Sequence, residues 1–256
     1  MRKYNTLGKK LPYFFFKYLF GDRKKYGKVV NKDDSDWILW EKTYNEFYTE
    51  NQKKSIGNFV NEAGYKIMGD INLTSKNVLE LGPGKISHNK YWKSSPNNYN
   101  IADIYQMFLD QNNELFLKSE TNLIKHLIND TVKLPFPDNS FDVIISFYQL
   151  EHLNPLNEYL EEYKRVLKKN GVFVGAIPAE GGIGWGLGRF FTTRRWFKAK
   201  TKINPDKIIC WEHPNFADEI LNKLKDIFKV EKFDFWPLKF KSIDFNLVIS
   251  FKLIKE

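Results

Sequence analysis

Glu80-Leu81-Gly82-Pro83-Gly84 sets an acidic residue and two glycines at the end of an apolar run that begins at Val78. A ligand approaches backbone closely only where Cβ is absent, and a tight strand-to-helix turn favours positive φ. Such turns lie at the carboxyl ends of parallel strands, where open α/β sheets bind ligands. Asp103 closes a second candidate strand and is suited to accept hydrogen bonds from the two hydroxyls of a ribose. These residues alone point to a nucleotide-type ligand, with NAD fitting as well as any other. His152 titrates near neutral pH and is a candidate general base; it is equally a histidine that caps a helix or bridges two strands. Trp185, Arg189, Phe190, Phe191, Arg194, Arg195 and Trp196 interleave guanidinium groups with rings. That pattern suits a phosphate-bearing or ring-containing ligand, or else forms a solvated basic loop. His213, within Trp211–Pro214, completes a pocket lid or shapes the entry into the next helix.

Further along, Leu134-Pro135-Phe136-Pro137-Asp138-Asn139-Ser140-Phe141-Asp142 is a polar turn feeding the apolar run Val143–Ile145. In this order and spacing, the two segments resemble the class I S-adenosylmethionine (SAM)-dependent methyltransferases. The likeness is to the broad small-molecule group with an E-x-G-x-G turn and an L-P-F-x-D-x-S-F-D segment. It runs from Asn77 to Pro178 and stops short of the parts that choose the methyl acceptor. The resemblance implies SAM as cofactor, with Glu80, Gly82 and Gly84 along its methionine end and Asp103 on its ribose. It implies Asp130 at the adenine amino group, with Thr131 and Val132 beside the ring. Phe147 to His152 would pass near the sulfonium and the acceptor pocket, Phe147 on the cofactor side and Tyr148 on the substrate side. Where the family often has a third glycine this chain has Ile86, which should push the next helix away or turn toward substrate. Asp138, Asn139 and Ser140 are read as turn chemistry.

The leading expectation is methyl transfer to a small or carrier-linked acceptor, foremost O-methylation of a sugar or glycan precursor. Arg189, Arg194, Arg195, Tyr148 and His213 would be on the acceptor side. In-line positioning does most of the work of such a transfer, and a base is needed only for a poor nucleophile such as a hydroxyl. One alternative is an RNA methyltransferase that uses the basic N-terminus as a nucleic-acid arm. Against it, Phe147-Tyr148-Gln149-Leu150 stands where a base methylase carries an N-P-P-Y-type tetrad. Another alternative is a non-catalytic SAM-fold adaptor at a membrane surface, although intact Glu80, Gly82, Gly84 and Asp103 argue for retained cofactor binding.

The elements that must hold these residues alternate. Candidate strands are 77–81, 99–103, 124–129, 142–147 and 171–177, with two more near 230–236 and 246–253. The spacing predicts a Rossmann-like, doubly wound, mostly parallel seven-stranded α/β sheet. Residues 1–30 form a basic-aromatic leader, 31–72 a helical extension, and 73–256 the SAM-binding domain, with an inserted loop region at 179–214 before the last helix. Trp37, Trp40, Tyr44, Phe47 and Tyr48 recur near helical spacing. Asn154 with Pro155, and Asn215 with Asp218, are predicted helix starts.

The 256 residues carry a formal charge of +9, unevenly placed. Residues 1–30 hold nine Lys/Arg against one acid, Asp22, and no acid lies between Gly181 and Pro205. These are two local fields on an otherwise balanced body. Peripheral contact with an anionic membrane is one use for the leader; a lid over the pocket is the other. The single cysteine, Cys210, leaves no internal disulfide and suggests a cytoplasmic setting. No metal site is expected, since no histidine stands at ligand spacing from it. The apolar run at 11–20 imitates a signal peptide, but Lys17 interrupts it and no cleavage site follows.

Overall fold

The computed structural model describes residues 3–47, 56–117 and 119–256. The strands are β1 (Asn77–Leu81), β2 (Asn98–Asp103), β3 (Asn122–Leu127), β4 (Phe141–Phe147), β5 (Leu167–Pro178), β6 (Lys229–Trp236) and β7 (Val248–Ile254). They form one seven-stranded sheet in the order β3-β2-β1-β4-β5-β7-β6. Neighbours from β3 through β5 pair in parallel, and β7 runs antiparallel to both β5 and β6. Val78, Leu79, Val143, Ile144, Ile145, Phe173 and Val174 are all buried. That is why these strands read as unbroken apolar runs rather than alternating ones: both faces of the sheet are covered.

In chain order the helices are α1 (Tyr13–Phe20), α2 (Arg23–Tyr26), α3 (Ser35–Phe47), α4 (Ile56–Tyr65), α5 (Gln106–Asp110), α6 (Asn113–Phe116), α7 (Leu156–Val166), α8 (Ile183–Phe191), α9 (Thr193–Lys200), α10 (Pro205–Glu212) and α11 (Ala217–Ile227). Leu160 and Tyr163 of α7 and Ile220, Leu221 and Leu224 of α11 pack with Leu79, Ile144 and Phe173 in one core. Val60 of α4, Leu109 of α5 and Phe116 of α6 pack with Val78, Ile145 and Val174 on the opposite face. The strand order reverses between β1 and β4, so the crevice for a ligand opens over the carboxyl ends of those two strands.

Several expectations are corrected. The insert at 179–214 is helical rather than a loop, and Gly186 of its first helix sits at a helix–helix contact. A Cβ on Gly186 would meet Phe20 and Leu19 at 2.8–3.0 Å. Asn154 and Asn215 are not caps: α7 starts after Pro155 and α11 after Phe216. The Asn215 side chain instead donates to the Leu150 and Leu153 carbonyls, bracing the segment after β4. No α-helix follows β1; the chain makes only a 3-10 turn at Asn89–Tyr91. Ile86, expected to push a helix aside, is buried among Val78, Tyr99 and Phe147. The predicted helical stretch from residue 36 is α3 and α4; Tyr48 lies outside the described residues.

The leader is built into the fold. Tyr4 exchanges two backbone hydrogen bonds with the Asn222 side chain on α11, each 2.9 Å. The Leu7 and Gly8 N–H groups donate to the Asp244 carboxylate, and Lys9 reaches Asp218 and Glu219. Arg23 donates to the His213 and Pro214 carbonyls while its guanidinium lies 4.1 Å from the Phe216 ring centroid.

Candidate active site

Gly82 and Gly84 both hold positive φ, 61° and 48°, where a Cβ is strained. The turn they make is locked by side chains instead of by a following helix. Asn112 donates to the Gly84 carbonyl (2.7 Å) and accepts from the Ile86 N–H (2.9 Å). Below it, Glu80 is buried, with Oε1 3.0 Å from His88 Nε2 and Oε2 accepting from the Tyr99 hydroxyl. Trp92 Nε1–H donates to His88 Nδ1 (3.0 Å), so the proton on a neutral His88 ring is on Nε2 and points at Glu80. The expected place of Glu80 along the ligand is therefore corrected. Its carboxylate is spent on two internal donors and holds the turn from beneath. Phe147 is buried between the rings of Tyr65 (5.0 Å) and His88 (4.9 Å), in the wall behind that lock.

Asp103 ends β2, the strand beside β1. It accepts from the Tyr105 N–H at 2.9 Å, and burial pushes its carboxyl up to about 6 against the two backbone donors that pull it down. Ile128 N–H bonds to the Asp103 carbonyl, which brings the chain after β3 alongside. Asp130 and Thr131 are exposed there, Asp130 paired loosely with Lys32 at 3.3 Å and Thr131 donating to the Lys133 carbonyl. Gly82 and Gly84 follow β1, Asp103 ends β2 and Asp130 follows β3, so the four stand at the carboxyl ends of three neighbouring strands.

A second cluster lies at the ends of β4 and β5. Tyr148 exits β4 at φ 56°, outside the usual range for a side-chain-bearing residue, and its hydroxyl donates to the Asn61 carbonyl of α4. Glu151 is 2% exposed, and its Oε2 has no hydrogen-bond partner. Burial pushes this carboxyl up to about 7. His152 beside it has Nδ1 3.3 Å from Glu212 Oε2. Burial lowers the His152 pKa, but the bonded Glu212 and the nearby Glu151 outweigh it and raise the group to about 9. His152 therefore carries its proton at pH 7, which suits the structural one of the two roles expected for it better than that of a base. Glu212 is fixed in turn by Trp40 Nε1 of α3, at 2.6 Å.

Glu180, fully buried just past β5, binds Arg189 with both oxygens and accepts from Trp185 Nε1. His213 Nδ1 is 3.0 Å from Glu180 Oε2 and 3.2 Å from Arg189. Burial and the Arg189 charge lower the His213 pKa to about 4 against the upward pull of the Glu180 hydrogen bond, so this ring is neutral at pH 7. The His152 and His213 rings meet at 4.7 Å, joining the two ion pairs.

The arginines expected to grip a ligand are corrected. A buried guanidinium must be paired. Arg189 is spent on Glu180, and Arg194 is buried against Asp206 and the Lys17 carbonyl. Arg195 is on the outside, 5.4 Å over the Phe191 ring. Glu151, Glu180, Glu212, His88 and Asn112 were missed. One signal was available: Glu180 and Asp206 are the acids that immediately bracket the acid-free stretch.

Residues 79–175 match the model of a family described as a methyltransferase domain. Among curated proteins, "Arginine-hydroxylase NDUFAF5, mitochondrial" of Rattus norvegicus is 32% identical over 126 residues, 49% of this chain and 34% of that protein. The Homo sapiens protein of that name is 30% identical over the same share. The chain thus spans about a third of the length of these relatives. Two solved structures share the fold. The PH0226 protein of Pyrococcus horikoshii OT3 has a TM-score of 0.54 at 17% identity, covering 82% of this chain and 99% of that one. An S-adenosylmethionine dependent methyltransferase from Mesorhizobium loti has a TM-score of 0.52 at 14% identity, covering 77% and 99%.

Proposed function

The chain carries a class I SAM-dependent methyltransferase domain, and from that premise we propose that the whole protein methylates a hydroxyl of a small or carrier-linked acceptor. The observation that supports the cofactor half is the glycine turn after β1, at the point where the strand order reverses, with Asp103 at the end of the neighbouring strand β2. The residues fit the cofactor: a turn without Cβ gives the methionine end close approach, and the Asp103 carboxylate suits the ribose diol. Bound SAM supplies an electrophilic methyl group on a sulfonium. The protein's part is to bind, orient and manage one proton.

Glu151 fits the proton step better than His152. Methyl transfer to a hydroxyl oxygen releases the hydroxyl proton as the new C–O bond forms. A carboxylate near pKa 7, with one oxygen unpartnered, is matched to receive it. His152, held protonated by Glu212, serves as a fixed cation that orients the acceptor or steadies the ionised Glu151. With Arg189 and Arg194 paired internally, the acceptor side offers carboxylates, imidazoles and indoles. That set favours a neutral polyhydroxyl acceptor such as a sugar or glycan precursor over a phosphate group or RNA. The protein would work in the cytoplasm or at the inner face of a membrane. No described helix is long and apolar enough to cross one.

The test is transfer of labelled methyl from SAM into fractionated cell extract, counted separately in lipid, glycan, RNA and small-molecule fractions. Label in glycan or glycolipid, stable to mild base, is expected. Label confined to RNA would refute the acceptor class, and no calorimetric heat with SAM would refute the cofactor site.

A further inference from the structure

The leader and the insert together make a surface that catalysis does not use. Helix α1 puts Phe20 fully into the core, while Phe14 and Phe15 are 58% and 57% exposed and Tyr18 is exposed beside them. Helix α8 lies against it. Gly186 is the close contact, facing Leu19 and Phe20. Arg194, beyond the end of α8, donates to the Lys17 carbonyl, so the two helices run antiparallel. Phe190 and Phe191 are therefore carried toward the Phe14–Tyr18 part of α1, and both are exposed, Phe191 at 54%.

Exposed rings of this size, side by side on two packed helices, are costly unless something covers them. The charge around them is mostly positive; the one nearby acid of the leader, Asp22, accepts from the Tyr13 hydroxyl. Lys17 Nζ stands 5.7 Å from the Phe14 ring and 5.5 Å from the Tyr18 ring, and Arg195 stands 5.4 Å over Phe191. Lys24 and Lys25 are exposed on the next helix, α2. None of these four cations has a carboxylate partner within ion-pair distance among the described residues. A second copy of the chain is a poor occupant, because a two-fold contact would set these like charges against each other. An anionic interface meets both needs: rings settle at headgroup depth while basic side chains reach lipid phosphates.

We infer that the joint α1–α8 face is a docking surface for an anionic phospholipid bilayer. This deepens the methyltransferase reading by naming a partner, and it has a consequence for the acceptor. The inner side of α8 carries Arg189 into the Glu180 pair, and its outer side carries Phe190 and Phe191. Site and bilayer are then separated by one helix, about 10 Å. An acceptor sugar on a lipid carrier could reach the site while its tail stays in the leaflet.

Co-sedimentation of the full chain with vesicles tests this without any methyl transfer, so its failure is distinguishable from failure of the enzymatic reading. Vesicles of phosphatidylcholine alone are compared with vesicles that also contain phosphatidylglycerol, at low and high salt. Binding is expected only to the anionic vesicles and should weaken with salt. Phe14→Ser/Phe15→Ser and, separately, Phe190→Ser/Phe191→Ser should each weaken it about tenfold or more. Lys24→Gln/Lys25→Gln, which touches no ring of the patch, should weaken it roughly thirtyfold. Far-ultraviolet circular dichroism checks that each variant is folded. Equal binding to neutral vesicles, no binding at low salt, or unchanged binding by both serine pairs overturns the inference. So does a wild-type dimer that ignores vesicles and dissociates in the serine variants.

Discussion

Asp103→Asn keeps the side chain's shape and the acceptor for the Tyr105 N–H, and removes only the charge. In the folded protein burial holds this carboxyl at about 6, against an ordinary 3.8. The displacement corresponds to about 3 kcal/mol at pH 7. The sign follows from proton counting: the folded state binds the proton more tightly than the unfolded state, so stability falls as pH rises through the window from 3.8 to about 6 and is level above it. The unliganded asparagine variant should then be more stable than wild type at pH 7, by up to about 3 kcal/mol. The gain should shrink toward zero near pH 4. The same charge is what the ribose hydroxyls need, and losing it costs about 1.5–3 kcal/mol of SAM binding. That is roughly a ten- to hundredfold loss of affinity. Urea unfolding of both proteins at the two pH values, with calorimetric titration of SAM at pH 7, measures the two halves. If the variant is no more stable at pH 7, burial is not straining this carboxylate. If SAM binds it as tightly as wild type, Asp103 does not hold the ribose.

The remaining predictions concern the turn and the acid cluster. Gly84→Val forces a branched residue to φ 48° in the ligand's path, so SAM binding should be lost in calorimetry while circular dichroism still reports a folded protein. Glu151→Gln should lower turnover by about 10²–10⁴ with SAM affinity nearly unchanged. The wild-type rate should rise as pH passes about 7; a flat pH–rate profile would return Glu151 to a structural role. His152, raised to about 9 by Glu212, contributes stability that is complete below its ordinary 6.5 and is lost as pH climbs through 9. With the side chain 36% exposed the contribution is about 1 kcal/mol, so Tm should drop a few degrees over that range in wild type and stay level in His152→Gln. Glu180→Gln leaves a buried Arg189 short of its charge partner and should destabilise by about 3–5 kcal/mol in urea, independently of SAM.

Which of these features could be read before folding depended on the range of the interaction involved. The sheet was legible because a strand buried on both faces writes itself as a local apolar run, and Asn77–Leu81 was read with the observed bounds. Gly82 and Gly84 were legible because the need for positive φ is local. The arginines of the insert were misread because their partners are fixed by tertiary contact: Arg189 folds back nine residues to Glu180, and Arg194 reaches both Asp206 and a carbonyl of the leader. Gly186 suggested a loop by composition, yet it is the flat spot that lets two helices touch. The surroundings of His152 were hidden for a similar reason. His152 and Glu212 are sixty residues apart in sequence, and only their meeting makes the imidazole cationic.

The anchoring of the leader also bears on the order of events during synthesis. Tyr4 bonds to a side chain 218 residues downstream, and Leu7 to one 237 residues downstream. At about 5–20 residues per second, the ribosome needs roughly 10–50 s to deliver those partners. For most of that interval Phe16 and Phe20 have left the exit tunnel before Gly186 and Phe216, on which they pack, are made. A nascent protein in that condition is exposed to chaperones, to other nascent chains and to any lipid surface near the polysome. Closing the leader is therefore a late step that joins segments more than 200 residues apart, and Asn222→Ala or Asp244→Ala should slow burial of the leader far more than it slows formation of the sheet.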